Sequence, residues 1–469
     1  MKPLKLDLFF TLLLILLLGS RQISYASDNI QLKQYESGGI YEGEFNEGKQ
    51  HGKGKYSLPN GYVYEGEWLD GKIEGKGKAQ YPDGSIYEGG FKDGKHSGEG
   101  ILIFSDGARY EGSWSNGNFD GQGRLEYPNG VILEGNFLNG KLDGSGKQIS
   151  PNGYLYEGDW SNGKKLGQAV IKYEDGGIYK GLVSDGIRHG LGKLILEDGT
   201  ILEGVFKSGT LNGEGIVKFK NGDQYSGEIS KGKIEGQGKK NYSSGANYEG
   251  GFLNNQHHGY GVYRTNKGYV AEGNWLNGQL QGTGKLTYPD LSHYTGDLKE
   301  GIPNGTGTIT FPDGSNYTGQ WTDGTINGFG TARYSNGQIY EGNFKNGKNH
   351  GKGKMTFGDG YIYEGLWSKG LFEGLGKAEY TDGSVYEGNF KDGKRHGVGK
   401  ITMVDGATFE GNFENGQING DGVAVYPNGD RYEGYFKNGK RDGKGKITYK
   451  SGVTYEGSWK ENKRLPENE

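Results

Sequence analysis

The chain has 469 residues, of which 95 are glycine and 34 tyrosine, with only 32% hydrophobic; ordinary soluble chains carry about 7% glycine. Lys and Arg number 54 against 58 Asp and Glu, a formal net charge of −4 with no long run of either sign, so the concentrated basic face that nucleic-acid binding needs is missing. There is no cysteine, which excludes disulfides, thiolate nucleophiles and cysteine-ligated metals.

The first element in chain order is a positive start, Lys2 and Lys5, then an apolar run from Leu8 to Leu18 and a small-residue ending, Ser24-Tyr25-Ala26. That order predicts a secretory signal peptide over residues 1–26, cleaved after Ala26. The rival is an uncleaved anchor, but the run of about 11 residues is well short of the ~20 that span a bilayer. An exported chain is expected, whether periplasmic, secreted or at the cell surface. Residues 27–40 follow, and Gln31 to Gly39 resembles the second half of the unit that comes next. It is expected to cap that unit's first strand.

From Tyr41 the chain repeats every 23 residues, with copies starting at 41, 64, 87 and on to a partial nineteenth at 455. The array is expected over residues 41–465, with 466–469 a charged tail. The third position is glycine in all 19 copies, and the twelfth in all 18 that reach it. The fourteenth is glycine in 17 of 18, Ala169 being the exception. Gly52, Gly66, Gly75, Gly98, Gly112 and Gly158 represent these structural glycines. All seven tryptophans, Trp68, Trp114, Trp160, Trp275, Trp321, Trp367 and Trp459, occupy the fifth position, and nine further copies have Phe there. The first position is aromatic in 16 of 19 copies, as in Tyr64, Tyr110, Tyr156, Tyr317 and Tyr363.

Each copy carries two turn signals. Asn/Asp-Gly stands at the seventh and eighth positions, as in Asp70-Gly71, and Pro-Asp-Gly or a relative at the nineteenth to twenty-first, as in Pro82-Asp83-Gly84. Glycine and Asn tolerate positive φ, and Pro presets a turn's first corner. Where glycine is missing at the eighth position it is Asn255 or Asn462, as a left-handed backbone requires. Two turns in 23 residues leave two short strands, hence one hairpin per copy. No helical periodicity follows residue 26.

A three-residue Pro-Asp-Gly loop fixes the register. The twelfth position faces the fifth of the next copy, so Gly52 lies opposite Trp68 and Gly98 opposite Trp114. Each ring is expected to lie over that bare glycine backbone. The fifteenth position faces the next copy's second; it is Lys or Arg in 11 of 18 copies, and its partner is Glu in ten of those. Lys55 with Glu65, Lys78 with Glu88 and Lys377 with Glu387 are examples, and Lys285 with Thr295 is the miss. These pairs belong on the face opposite the rings and contribute at most ~0.2–1 kcal/mol each. The fold class expected is all-β, an elongated single antiparallel meander on the order of 170 Å along its path. The irregular copies around Leu166 to Val183 and Gly261 to Leu298 are where altered twist is expected.

The pattern Tyr-Glu-Gly-x-Trp-x-x-Gly-x-x-x-Gly-x-Gly resembles the MORN (membrane occupation and recognition nexus) repeat over residues 41 to about 465. The resemblance implies β-hairpin repeats and a dimerising or peptide-binding scaffold. MORN repeats are joined in some proteins to lipid kinase or methyltransferase domains, but repeat similarity carries no catalytic residue.

Hidden chemistry finds little support in the residues. The phosphate-loop near-match from Gly342 to Lys348 fails at Asn349, and that motif needs a helix behind it. His51, His189, His258, His350 and His396 share the eleventh position, and solvated turn residues describe them better than metal ligands. No catalytic residue, metal or cofactor is expected. A sheet with one ring-rich face has to coil, pair with a second copy or hold a partner. The expectation is therefore a non-enzymatic exported scaffold whose aromatic-lined trough, carrying the seven tryptophans and five tyrosines named above, binds protein or peptide partners or a second copy. The alternatives are a phospholipid surface, which net charge and the absence of an amphipathic helix disfavour, and a cell-envelope glycan stacked on the rings.

Overall fold

The computed structural model describes residues 30–466, so the expected signal peptide lies outside the described residues. All regular structure among them is β-strand. Each copy supplies a seven-residue strand and a nine-residue strand, as in β2 (Ile40–Asn46) and β3 (Lys49–Ser57), then β4 (Val63–Leu69) and β5 (Lys72–Gln80). An antiparallel meander of one hairpin per copy is what the two turn signals predict.

The chain folds as two compact units. One holds the described residues up to Asp175 with Val183–Gly186; the other holds Gly176–Leu182 and the described residues from Ile187 onward. The division begins within the irregular stretch Leu166 to Val183 and ends just after it, at Gly186. In the first unit β1 (Ile30–Gln34) pairs with β2 as the second strand of a copy pairs with the next. In the second, β38 (Thr454–Lys460) pairs with the two-residue β39 (Lys463–Arg464), and the Arg464 guanidinium lies over the Tyr455 ring at 4.5 Å. Around Gly261 to Leu298 the pairing runs on unbroken, and only the bulge changes, Asn274 gaining Gln281 as a partner.

The turns are of two kinds. At the seventh and eighth positions both residues have positive φ, Asp70 at 49° and Gly71 at 82°, the type I′ geometry that suits the strand twist. Asn255 and Asn462 hold φ of 68° and 70° in the same place. The Gly71 N–H donates to the Gln50 carbonyl of the previous copy at 2.9 Å, so each turn is tied to its neighbour. In the other turn Tyr81 N–H donates to the Ser85 carbonyl and Gly84 N–H to the Tyr81 carbonyl, both at 2.9 Å. Position eighteen therefore faces twenty-two, and the register follows: Gly52 pairs with Trp68, Lys55 with Glu65, Gly98 with Trp114 and Lys285 with Thr295.

A bulge that recurs from hairpin to hairpin is the feature that spacing alone does not reveal. Gly66 pairs with Gly77 and Trp68 with Ile73, so Glu67 faces three residues, Glu74, Gly75 and Lys76. Gly75 takes φ of 79° to make the extra bend, which is why the twelfth position has to be glycine. The bulge frees two backbone groups, and side chains satisfy both. The Tyr64 hydroxyl donates to the Glu67 carbonyl at 2.9 Å, and the Glu67 carboxylate accepts the Lys76 N–H at 3.2 Å.

Candidate functional site

The sheet has two faces of opposite character, and the rings lie on the closed one. Tyr64, Tyr110, Tyr156, Tyr317 and Tyr363 are fully buried, as are six of the tryptophans to within 7%; Trp275 is half-buried against the core. The expectation that these side chains line an open trough does not hold for their placement, because they form the interior. Tyr64 shows how such a tyrosine is enclosed. Beneath it lie two glycines, for a Cβ on Gly77 would stand 2.4 Å from the Tyr64 hydroxyl and one on Gly66 would meet the same atom. Beside it are fifth-position rings at right angles, Trp68 at 5.5 Å and Phe91 at 5.0 Å.

The tenth position closes the roof. Tyr87 stacks on His96 at 3.6 Å, Tyr110 on Phe119 at 3.7 Å and Tyr363 on Phe372 at 3.8 Å. Burial pushes His96 and His257 down to about 4. At Lys165 the ammonium lies 4.7 to 5.4 Å from the Tyr154, Tyr156 and Trp160 rings and donates to the Tyr154 hydroxyl, and burial pushes it down to about 8. Sequence reading missed this layer. The signal was available, since a bulky residue stands five positions after the ring in nearly every copy.

The ring-over-glycine expectation needs a correction in its details. The fifth-position ring does not lie over the twelfth-position glycine. That glycine faces the other side, where a Cβ on Gly52 or Gly75 would meet Glu44 or Glu67. The glycine that is covered is the fourteenth, and the first-position tyrosine covers it. Tryptophan instead donates its indole N–H to that glycine's carbonyl, as Trp68 does to Gly54 at 3.3 Å and Trp367 to Gly353 at 3.0 Å. Only where Leu133, Leu202 or Ala271 replaces the tyrosine does the next fifth-position side chain slide over the glycine. Trp160, Ile229 and Leu298 then approach Gly146, Gly215 and Gly284, and the Trp160 indole is left without an acceptor. In those three copies the tenth position is Leu142, Leu211 or Leu280, each buried, which refills the space.

The open face carries the Lys–Glu ladder. Lys78 lies 3.5 Å from Glu88, Lys193 2.8 Å from Glu203 and Lys400 3.9 Å from Glu410. Lys377 is the register partner of Glu387 but makes its ion pair with Glu379 at 2.7 Å. These exposed pairs contribute little to stability. The ladder face is grooved. In the first unit a groove of about 1620 Å³ is floored by Gly43, Gly54, Gly66 and Gly77 and walled by eight glutamates and five lysines, among them Glu42, Glu65, Glu88, Lys53 and Lys76. In the second a groove of about 580 Å³ lies between Glu214, Glu228, Tyr260 and Arg264. Of the eleventh-position histidines, His51 faces Asp70 at 3.7 Å. Among the described residues no three His, Asp or Glu side chains converge on a common point.

The model of the MORN repeat matches the chain in 19 segments, from residues 41–61 to 455–464. No curated protein matches it. Among solved structures, the TCP10 domain of Danio rerio CPAP in complex with a peptide of Danio rerio STIL is similar at 14% identity, over 52% of this chain and 92% of that one, with a TM-score of 0.21. The TCP domain of Drosophila melanogaster SAS-4 (dCPAP) is similar at 16% identity over 46% and 99%, TM-score 0.21. Streptogramin B lyase follows at 16% over 64% and 92%, TM-score 0.11.

Proposed function

The chain belongs to the MORN repeat family, and from that premise we propose that it is a non-enzymatic, exported repeat scaffold that binds protein partners on its Lys–Glu face. One contrast supports the reading. The rings are used up inside the chain, roofed by the tenth position, so a partner meets the ladder face and its grooves instead. Contact there is spread over many equivalent copies with a modest share from each, as is usual for repeat scaffolds. Export rests on the order of parts in residues 1–26.

The test is affinity capture from the exported fraction with the purified mature chain and with a Glu42→Lys, Glu65→Lys, Glu88→Lys variant. Proteins held by the first and released by the second are the expected result. If no protein is retained specifically while anionic vesicles or envelope glycans bind the chain, the partner is a lipid surface or a sugar and the reading fails.

A further inference from the structure

The thirteenth position lies on the ladder face, and it changes character between the units. In the first unit it is Lys53, Lys76, Glu99, Gln122, Ser145 and Gln168, all polar. In the second, five of its twelve residues are apolar or aromatic, Leu191, Tyr260, Phe329, Leu375 and Val398, each between 52% and 67% exposed. Leu191, Tyr260, Phe329 and Val398 are spaced by 69 residues, three copies apart. The densest part of this stripe runs from Phe329 to Val398. There Phe329 pairs with Asn343, Leu375 with Asn389 and Val398 with Asn412; the copy between Phe329 and Leu375 has Lys352 at this position, but its register partner is Leu366, which stands beside Gly374, next in chain to Leu375. The asparagines do not break the apolar character. Their amides already donate to the carbonyls of Lys352, Val398 and Asp421.

We propose that the Phe329, Leu366, Leu375 and Val398 stripe docks an amphipathic α-helix of a protein partner; the proposal rests on the scaffold reading above and adds the site and the partner's chemistry. Three observations choose this occupant. Every strand beneath the stripe is paired on both sides, so no backbone is free to accept an added strand, and an apolar floor takes a segment whose own backbone bonds are satisfied. Equivalent positions in successive copies are about 9.6 Å apart, two strand spacings, close to the ~10.5 Å from i to i+7 on a helix. A helix of about 20 residues is ~30 Å long, enough to reach from Phe329 past Leu375 to Val398. Charge supplies the third. The rail beside the stripe alternates in sign, Glu364, Lys377, Glu387, Lys400, Glu410, with its partners in register. It complements a helix flanked by both Lys and Glu and disfavours an anionic lipid surface.

The experiment uses the mature chain and a labelled synthetic helix of about 21 residues, Leu at heptad a and d and Glu/Lys elsewhere. A peptide of the same composition with the leucines out of phase is the control. Saturable binding of the first peptide with a gain in helicity, no binding of the second, and a loss of about tenfold or more in Leu375→Asp, Val398→Asp is the expected result. Milder Leu375→Ser and Val398→Thr changes keep the comparison valid if the double variant unfolds. Absence of binding, equal binding of both peptides, or binding untouched by either pair of substitutions overturns the proposal. So does adsorption to phosphatidylglycerol-containing vesicles through the same residues. Proteins captured as described above but undiminished by the stripe variants would sink this site alone and leave the scaffold reading standing.

Discussion

At the scale of single residues, the unit of construction is a tyrosine lying across two glycines with its hydroxyl on a carbonyl freed by the bulge. In the copy starting at Tyr363 that bond runs to Leu366 at 2.8 Å, and a Cβ on Gly376 would stand 2.5 Å from the hydroxyl. Tyr363→Phe keeps the ring and leaves one carbonyl unsatisfied, so local stability is expected to fall by ~1 kcal/mol. Gly376→Ala forces the ring from its seat and is expected to cost more, about 2–3 kcal/mol. Amide hydrogen exchange in β-strands of that copy, compared with a distant one, measures both. The roof histidines give a pH signature. His96 and His257 are pushed from 6.5 down to about 4 by burial, so the folded chain holds them neutral while the unfolded chain protonates them below about 6.5. Their contribution is complete above 6.5 and is lost as pH falls toward 4. Replacing both with Phe, the residue at Phe119 and Phe372, is expected to flatten the urea midpoint across that range. An unchanged slope would show that the imidazoles are solvated.

At the scale of the element, turns set the register and bulges set which groups need side-chain partners. The tightest local constraint is a left-handed residue at the twenty-first position. Leu291 fills it with φ of 70° and 67% exposure where other copies have glycine. A branched side chain in that conformation costs ~1–2 kcal/mol, and its exposure means little packing is lost on removal. Leu291→Gly is expected to raise the stability of the hairpin around it by about 1 kcal/mol. A lower stability, read by exchange of the Tyr288 and Ser292 amides, would mean that the leucine packs better than its exposure implies.

At the scale of the whole molecule, strands within each unit pair with their sequence neighbours, so copies are interchangeable modules. Deleting residues 340–362, one full period, joins equivalent positions and is expected to leave circular dichroism and the unfolding midpoint close to those of the parent. Deleting 22 residues from the same place shifts one strand by a single position. That sends its rings to the ladder face, and loss of soluble, cooperatively folding protein is expected. If both deletions behave alike, the modular description is wrong.

The sequence by itself determined the period, the hairpin in each copy, both turn types and the register that sets Gly52 against Trp68 and Lys55 against Glu65. All of these follow from local backbone conformation and the alternation of side chains along a strand, which a one-dimensional repeat exposes. Tertiary structure alone decided which face is closed. The bulge at the twelfth position turns that glycine away from the ring, hands the covered glycine to the tyrosine and brings a tenth-position side chain over the top. Burial of the rings depends on residues nine apart meeting across a hairpin; the bulky tenth position repeats in the sequence, but only the bulge's geometry brings it over the rings, and so the open surface proved to be the charged ladder instead of the aromatic row.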